Sequence, residues 1–119
     1  MGAPIVSPLV PTGSTNGRMV KVVATGTPGT ALHTAVAGTT DWDEIEVHAV
    51  NSDTTDRKLT VEWGGVTAPD DLIEVTIPAE SGLILVVPMS RLNNGLAVRA
   101  FAATANVILC LVRVNRVTA

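Results

Sequence analysis

The chain contains no tyrosine, one phenylalanine and two tryptophans. Flat rings on which sugars or bases stack are therefore scarce. A single cysteine, Cys110, excludes an internal disulfide framework. It lies within "NVILCLV", where a thiol is expected to be buried and to pack as a small hydrophobe. His33 and His48 are the only histidines. No apolar run approaches the ~20 residues of a membrane helix. The opening "MGAPIVSPLVPTGSTNGR" lacks the early basic residue and apolar stretch of a secretory signal, so synthesis and folding in a cytoplasm are expected. Met1-Gly2 with Ser7 is one place off a myristoylation pattern, and Pro4 disfavours it further.

Acidic residues are missing from both ends. All eleven lie between Asp41 and Glu80, opposed there only by Arg57 and Lys58. Arg18 and Lys21 precede that segment, and Arg91, Arg99, Arg113 and Arg116 follow it. A chain with two such poles is suited to head-to-tail packing, or to docking arginines on an acidic neighbour. The net charge of −3 and the lack of a basic, aromatic-bearing stripe argue against nucleic acid as a partner.

What is abundant is aliphatic. Apolar residues make up 46% of the 119, mostly Val, Ala, Leu and Ile, accompanied by many Thr. β-Branched side chains favour strands, and a chain of this length forms one domain. Residues 1–18 read as an extended arm. Pro4, Pro8 and Pro11 keep it open, while Ile5, Val6, Leu9 and Val10 are too apolar for a free tail and are expected to dock on this domain or on a neighbour.

Residues 19–119 read as the domain proper. "MVKVVA" (19–24), "ALHTAVA" (31–37), "EIEVHAVN" (44–51), "KLTVEW" (58–63), "LIEVTI" (72–77), "LILVVP" (83–88), "LAVRAFA" (96–102) and "NVILCLVRVNRV" (106–117) are separated by turn sequences rich in Gly, Pro, Asp and Asn. The expectation is an all-β, antiparallel, eight-stranded β-sandwich, jelly-roll-like, preceded by the arm. In the middle strands one face is polar: Ile45, Val47 and Ala49 against Glu44, Glu46 and His48, and Leu59, Val61 and Trp63 against Thr60 and Glu62.

The last strand breaks that rule. Ile108, Cys110, Val112 and Val114 occupy one face, yet Val107, Leu109 and Leu111 occupy the other. Burying each Val or Leu contributes about 1.5–3 kcal/mol, so a second apolar face predicts a covering surface. The arm or another copy of the chain would supply it, most simply in a symmetric homo-oligomer such as a trimer.

Chemistry-bearing patterns are sparse. His48 with Glu44, Glu46, Asp41 and Asp43 fits a solvated acidic strand better than a metal or acid–base site. "NSDTTD" (51–56) lacks the ligand spacing and glycine of a calcium loop, and an Asx turn is expected. Ser81 and Ser90 have no histidine and carboxylate partners at a diagnostic spacing. Neither an enzyme nor a metal or other cofactor is expected. Trp63 shares its face with core residues, which leaves Trp42 as the one possible ligand contact and a carbohydrate-binding module as a secondary reading.

The run from "DEIEVHAVNSDTTDRKLTVEWGG" through "IEVTIPAESGLILVVPMSRLNNGLAVRAFAATANVILCLVRVNRV" resembles small virion proteins of tailed bacteriophages. The resemblance rests on strand endings and turns: Asn51, Ile77-Pro78, Gly82, Leu92 to Gly95, Leu96, Val98 and Ala100. It implies a β-sandwich on the phage particle, as a head decoration (cement) protein and often a trimer, or else a tail, neck or head-fibre protein. It implies no active-site residues. The partners so expected are further copies of the chain and the major capsid protein, on the capsid exterior, with no membrane involved. The residues expected at these contacts are Ile5, Val6, Leu9 and Val10 in the arm and Val107, Leu109 and Leu111 on the last strand. Arg99, Arg113 and Arg116 are expected to meet acids of the lattice.

Overall fold

The computed structural model describes residues 3–119. Nine strands are present among them: β1 (Ile5–Leu9), β2 (Val20–Lys21), β3 (Thr30–Thr34), β4 (Trp42–Asn51), β5 (Arg57–Trp63), β6 (Leu72–Ile77), β7 (Ile84–Leu92), β8 (Ala97–Ala102) and β9 (Ile108–Thr118). No helix occurs among the described residues. One sheet runs β1-β9-β4-β7, with β2 beside β1 on the same edge of β9; the other runs β3-β8-β5-β6. Every pairing is antiparallel. Without β1, the orders 2-9-4-7 and 3-8-5-6 are those of a jelly roll, in which consecutive strands alternate between sheets except for the β5–β6 hairpin. The eight strands expected from sequence are β2 to β9, and β1 is an addition drawn from the arm.

Alternation explains the core. β4 points Ile45, Val47 and Ala49 inward, where they are fully buried against Leu59, Val61, Val98, Ala100, Ile108, Cys110 and Val114. Asn51 ends the strand and is buried as well. Its Nδ2 donates to the carbonyls of Thr55 and Ile77, and its Oδ1 accepts from the Asp53 N–H at 2.9 Å. That last bond is an Asx turn. Arg57 then closes the loop by pairing with Asp53 at 2.6 Å.

The arm is folded onto its own chain. Ile5 to Leu9 pair with Thr118 to Val114 of β9. Pro11 is buried, and from there the chain crosses to the other sheet. The Gly13 N–H donates to the Leu32 carbonyl at 2.9 Å, and the Thr34 N–H donates to the Thr12 hydroxyl at 2.7 Å. A Cβ on Gly13 would lie 2.3 Å from the Ala31 carbonyl oxygen, so glycine permits this close approach. Residues 11–14 thus form a strap that covers the free edge of β3 and joins the two sheets.

Three expectations are corrected. The strand expected over 19–24 shrinks to Val20–Lys21, because the chain leaves β9 after the Val22 N–H bonds the Ile108 carbonyl. The strand expected to stop at Pro88 continues to Leu92. Val47 pairs with Val87 and Ile45 with Ser90, so Pro88 and Met89 stand opposite Glu46 alone as a bulge. β7 is an edge strand, where a proline's missing donor is tolerated. Thr60 and Glu62, expected to face water, are buried. The turn before β3 folds over Glu62, which accepts hydrogen bonds from the Thr27 hydroxyl and, at 2.6 Å, from the Gly29 N–H.

Candidate functional site

Most of the exposed large hydrophobic residues among those described lie in the N-terminal segment that builds one edge. Ile5, Val6, Val10, Met19 and Val23 are 64%, 57%, 55%, 44% and 55% exposed. Single exposed aliphatics are ordinary, but five from nineteen consecutive positions, strung along one edge from Thr118 to beyond Leu109, leave that edge unusually apolar. β1 reaches down β9 only as far as Val114, and β2 begins at Cys110. Among the described residues no strand therefore lies beside Val112 on this side. The cause is local: Pro11, next in register, has no N–H to continue the ladder. The notch opens into a groove of about 390 Å³ lined by Pro8, Leu9, Val10, Leu111 and Arg113 among others. Pro8, inside the edge strand β1, also lacks a donor, which blocks indefinite strand addition. This edge offers side chains rather than a backbone ladder.

The residues singled out from sequence fall into different settings. Ile5, Val6 and Val10 are exposed on this edge, while Leu9 packs against the core. Val107 precedes β9 and also packs against the core. Leu109 and Leu111 are half-buried on the outer face of β9, beside Val50 and His48 of β4. That face is less bare than the alternation suggests, and the more exposed aliphatic side chains lie on the neighbouring edge. Arg113 is exposed and makes no ion pair among the described residues. Arg99 lies across from Glu62 on β8, half-buried and likewise without an ion pair among the described residues. Trp42 is half-buried, and the Arg91 guanidinium lies 4.6 Å from its ring centroid. One ring face is thus already occupied by a cation–π contact.

Arg116, expected to reach outward, does the reverse. It pairs with Asp43 through two hydrogen bonds, Nε to Oδ1 at 2.8 Å and a terminal nitrogen to Oδ2 at 3.0 Å. Direct opposition of these residues in the β4–β9 register sets the geometry. Asp43 is fully buried, and its Oδ2 lies 2.7 Å from Nε2 of the equally buried His33 on β3. His33 Nδ1 accepts the Thr12 N–H at 3.1 Å, which assigns the ring proton to Nε2. The Val36 N–H completes the carboxylate's partners at 3.1 Å. Burial raises the Asp43 pKa, but the hydrogen bonds from Arg116 and His33 and the Arg116 charge outweigh it, and the carboxyl is held below the usual aspartate value. The same contact raises Arg116.

This clamp ties β3, β4, β9 and the strap together. Its signal in the sequence is slight: Asp43 shares the inward parity of Ile45 and Val47, and a charge at such a position requires a buried partner. A histidine held by a carboxylate has the form of the orienting half of a catalytic triad, without the rest. The ring nitrogen that would serve as base is bonded to the Thr12 backbone, and no hydroxyl or thiol approaches it among the described contacts.

His48 lies outward on β4, with Nδ1 3.7 Å from Glu46. Among the described residues no group of three or more His, Cys, Asp or Glu side chains is placed to hold a metal ion. Burial pushes the Cys110 thiol up to about 12, as for a core thiol. The site with the most to offer a partner is therefore the apolar N-terminal edge and its notch. The chain matches no protein-family model, no curated protein and no solved structure.

Proposed function

We propose that this protein is a structural component of a phage virion, a head decoration (cement) protein that stabilises the shell by non-covalent contacts. The observation that carries the reading is the N-terminal edge, where five large aliphatic side chains face outward from a rigid jelly roll. Apolar area of this kind gains stability when a second surface covers it. The strand-end pattern from Asp43 to Val117 supplies the resemblance to tailed-phage virion proteins. With β1 and the strap held by the protein's own sheets, contact with the lattice falls to the outward side chains of Ile5, Val6 and Val10 and to Arg99 and Arg113. Arg116 is committed to Asp43 and drops out of that set.

The physical mechanism is linkage. A protein that binds the assembled shell and not its free subunits stabilises the shell by mass action. Several weak contacts on one rigid body, repeated around a homo-oligomer such as a trimer, raise the effective concentration of each. The test is co-sedimentation of the purified protein with expanded heads of the cognate phage, followed by heating of the decorated heads. Saturable binding and a higher disruption temperature are expected. Absence from heads, with binding to isolated tails or necks, would move the protein to the tail or neck and end the cement reading.

A further inference from the structure

We propose that copies of this chain associate head to tail, with the β1/β2/β3 edge of one copy receiving the β6/β7 edge of the next. The proposal rests on the self-association in the function proposed above and specifies the two surfaces that meet.

The two edges are opposite sides of the sandwich. β1 and β2 end one sheet and β3 ends the other, joined by the strap; β7 and β6 end the same two sheets on the far side. Charge is divided between them. Arg113 lines the notch on the first edge, and Arg18 and Lys21 line a second hollow on that edge against Leu109; all three are exposed and without ion pairs among the described residues. No acidic residue occurs in the N-terminal segment that builds this edge. On the far side, Asp70 in the β5–β6 loop and Glu80 in the β6–β7 loop are exposed and also without ion pairs among the described residues.

Apolar exposure follows the same division. Val10 and Met19 stand out beside these basic residues, and Leu83 and Leu85, 51% and 49% exposed, stand out beside Glu80. Arg91 on β7 is engaged by Glu44 and the Trp42 ring, so each edge offers aliphatic area bordered by unpaired charge of one sign, and the signs are opposite. A two-fold contact of either edge with itself would bring like charges together, which is unfavourable. A contact between unlike edges satisfies both, and a heterologous contact of this kind closes into a ring when its rotation permits. Pro8 in β1 and the Pro88 bulge in β7 interrupt the two free strand edges. Side-chain contacts, rather than a continuous ladder, would then join the copies.

The experiment is a charge exchange read by sedimentation velocity, with circular dichroism and thermal melting to establish that each variant folds. One variant carries Arg18→Glu, Lys21→Glu and Arg113→Glu. A second carries Asp70→Lys and Glu80→Lys. A third carries all five changes. The first two should each dissociate at concentrations where the wild type is assembled, with a dissociation constant about tenfold or more higher. The third should assemble again, and an equimolar mixture of the first two should form assemblies of alternating copies, which close only into even-membered rings. Added salt should weaken the wild-type assembly. Wild-type assembly with either single-edge variant assembling equally well would overturn the edge pairing while leaving self-association intact. Failure of both the five-change variant and the mixture to reassemble would also overturn it. A wild type that stays monomeric would instead overturn the self-association on which it rests.

Discussion

Replacing Asp43 with asparagine tests the clamp at its centre. The side chain keeps its size and loses its charge. Arg116 then has no counter-ion, and the amide presents either its oxygen to Arg116 and its NH₂ to the His33 N–H, or the reverse; one donor-to-donor contact results in each case. Removing one partner of a buried pair costs about 3–5 kcal/mol. Arg116 remains about one-third exposed and can rehydrate, which brings the expected loss to about 2–4 kcal/mol. For a chain of 119 residues the whole stability is about 6–18 kcal/mol, so the loss is a large fraction of it. Urea unfolding followed by the fluorescence of Trp42 and Trp63 should show a lower midpoint at an unchanged slope.

The pH dependence carries an independent sign. The Asp43 carboxyl is held below its ordinary value of 3.8. Its contribution is therefore complete above that value and is lost as pH falls through the lower folded-state pKa. Wild type and Asp43→Asn should differ most near neutrality and converge in strong acid. A loss below about 0.5 kcal/mol, the level of an ordinary surface change, would refute the reasoning. So would a variant that keeps the acid-induced fall of the wild type.

Other consequences concern the strap, the edge and the core. Gly13→Ala places a methyl 2.3 Å from the Ala31 oxygen and should cost about 2 kcal/mol or more in a thermal melt, whereas Gly26→Ala, with nothing within 4 Å, should stay within about 0.5 kcal/mol. Deleting residues 1–18, which the sequence presents as a removable arm, should instead destabilise the fold severely, because it uncovers buried His33 and the edge of β3; a truncated chain melting with the wild type would refute this. Ile5→Ser with Val6→Ser should leave the monomer's stability within about 0.5 kcal/mol, since both are exposed, and should weaken assembly and head binding in sedimentation. Cys110, with its pKa pushed to about 12, should resist iodoacetamide at pH 8 in the native state and react in urea, as read by mass spectrometry.

Much of the fold can be read from period-2 alternation. β4 shows why: its inward and outward sets are chemically unlike, and its start, its buried Asn51 and its following turn all agree with one another. Eight such segments and their spacing point to a two-sheet sandwich, and the strand pairings then give it the order of a jelly roll. What alternation cannot convey is what lies across a face. Glu62 has the parity and the charge of a solvent-facing residue, and only the distant turn at 27–29 buries it. The arm is the same case. Its apolar residues predict docking without saying where; Pro8 tolerates an edge position and Gly13 allows close approach to β3, so the segment forms β1 and the strap on its own chain.

The candidate site is half legible. The apolar character of Ile5, Val6 and Val10 points to the surface that is in fact most exposed. The apolar outer face of β9 points to Leu109 and Leu111, which neighbours already half cover. The clamp is hidden because His33, Asp43 and Arg116 are far apart in the chain, and the pairing of β4 with β9 in one register brings two of them face to face.

The central claim is that this jelly roll is built to be covered by copies of itself. Sedimentation equilibrium of the full chain tests that directly. The predicted mass is a multiple of 12.3 kDa, falling toward the monomer with dilution or added salt. A constant mass of 12.3 kDa at every concentration would contradict it.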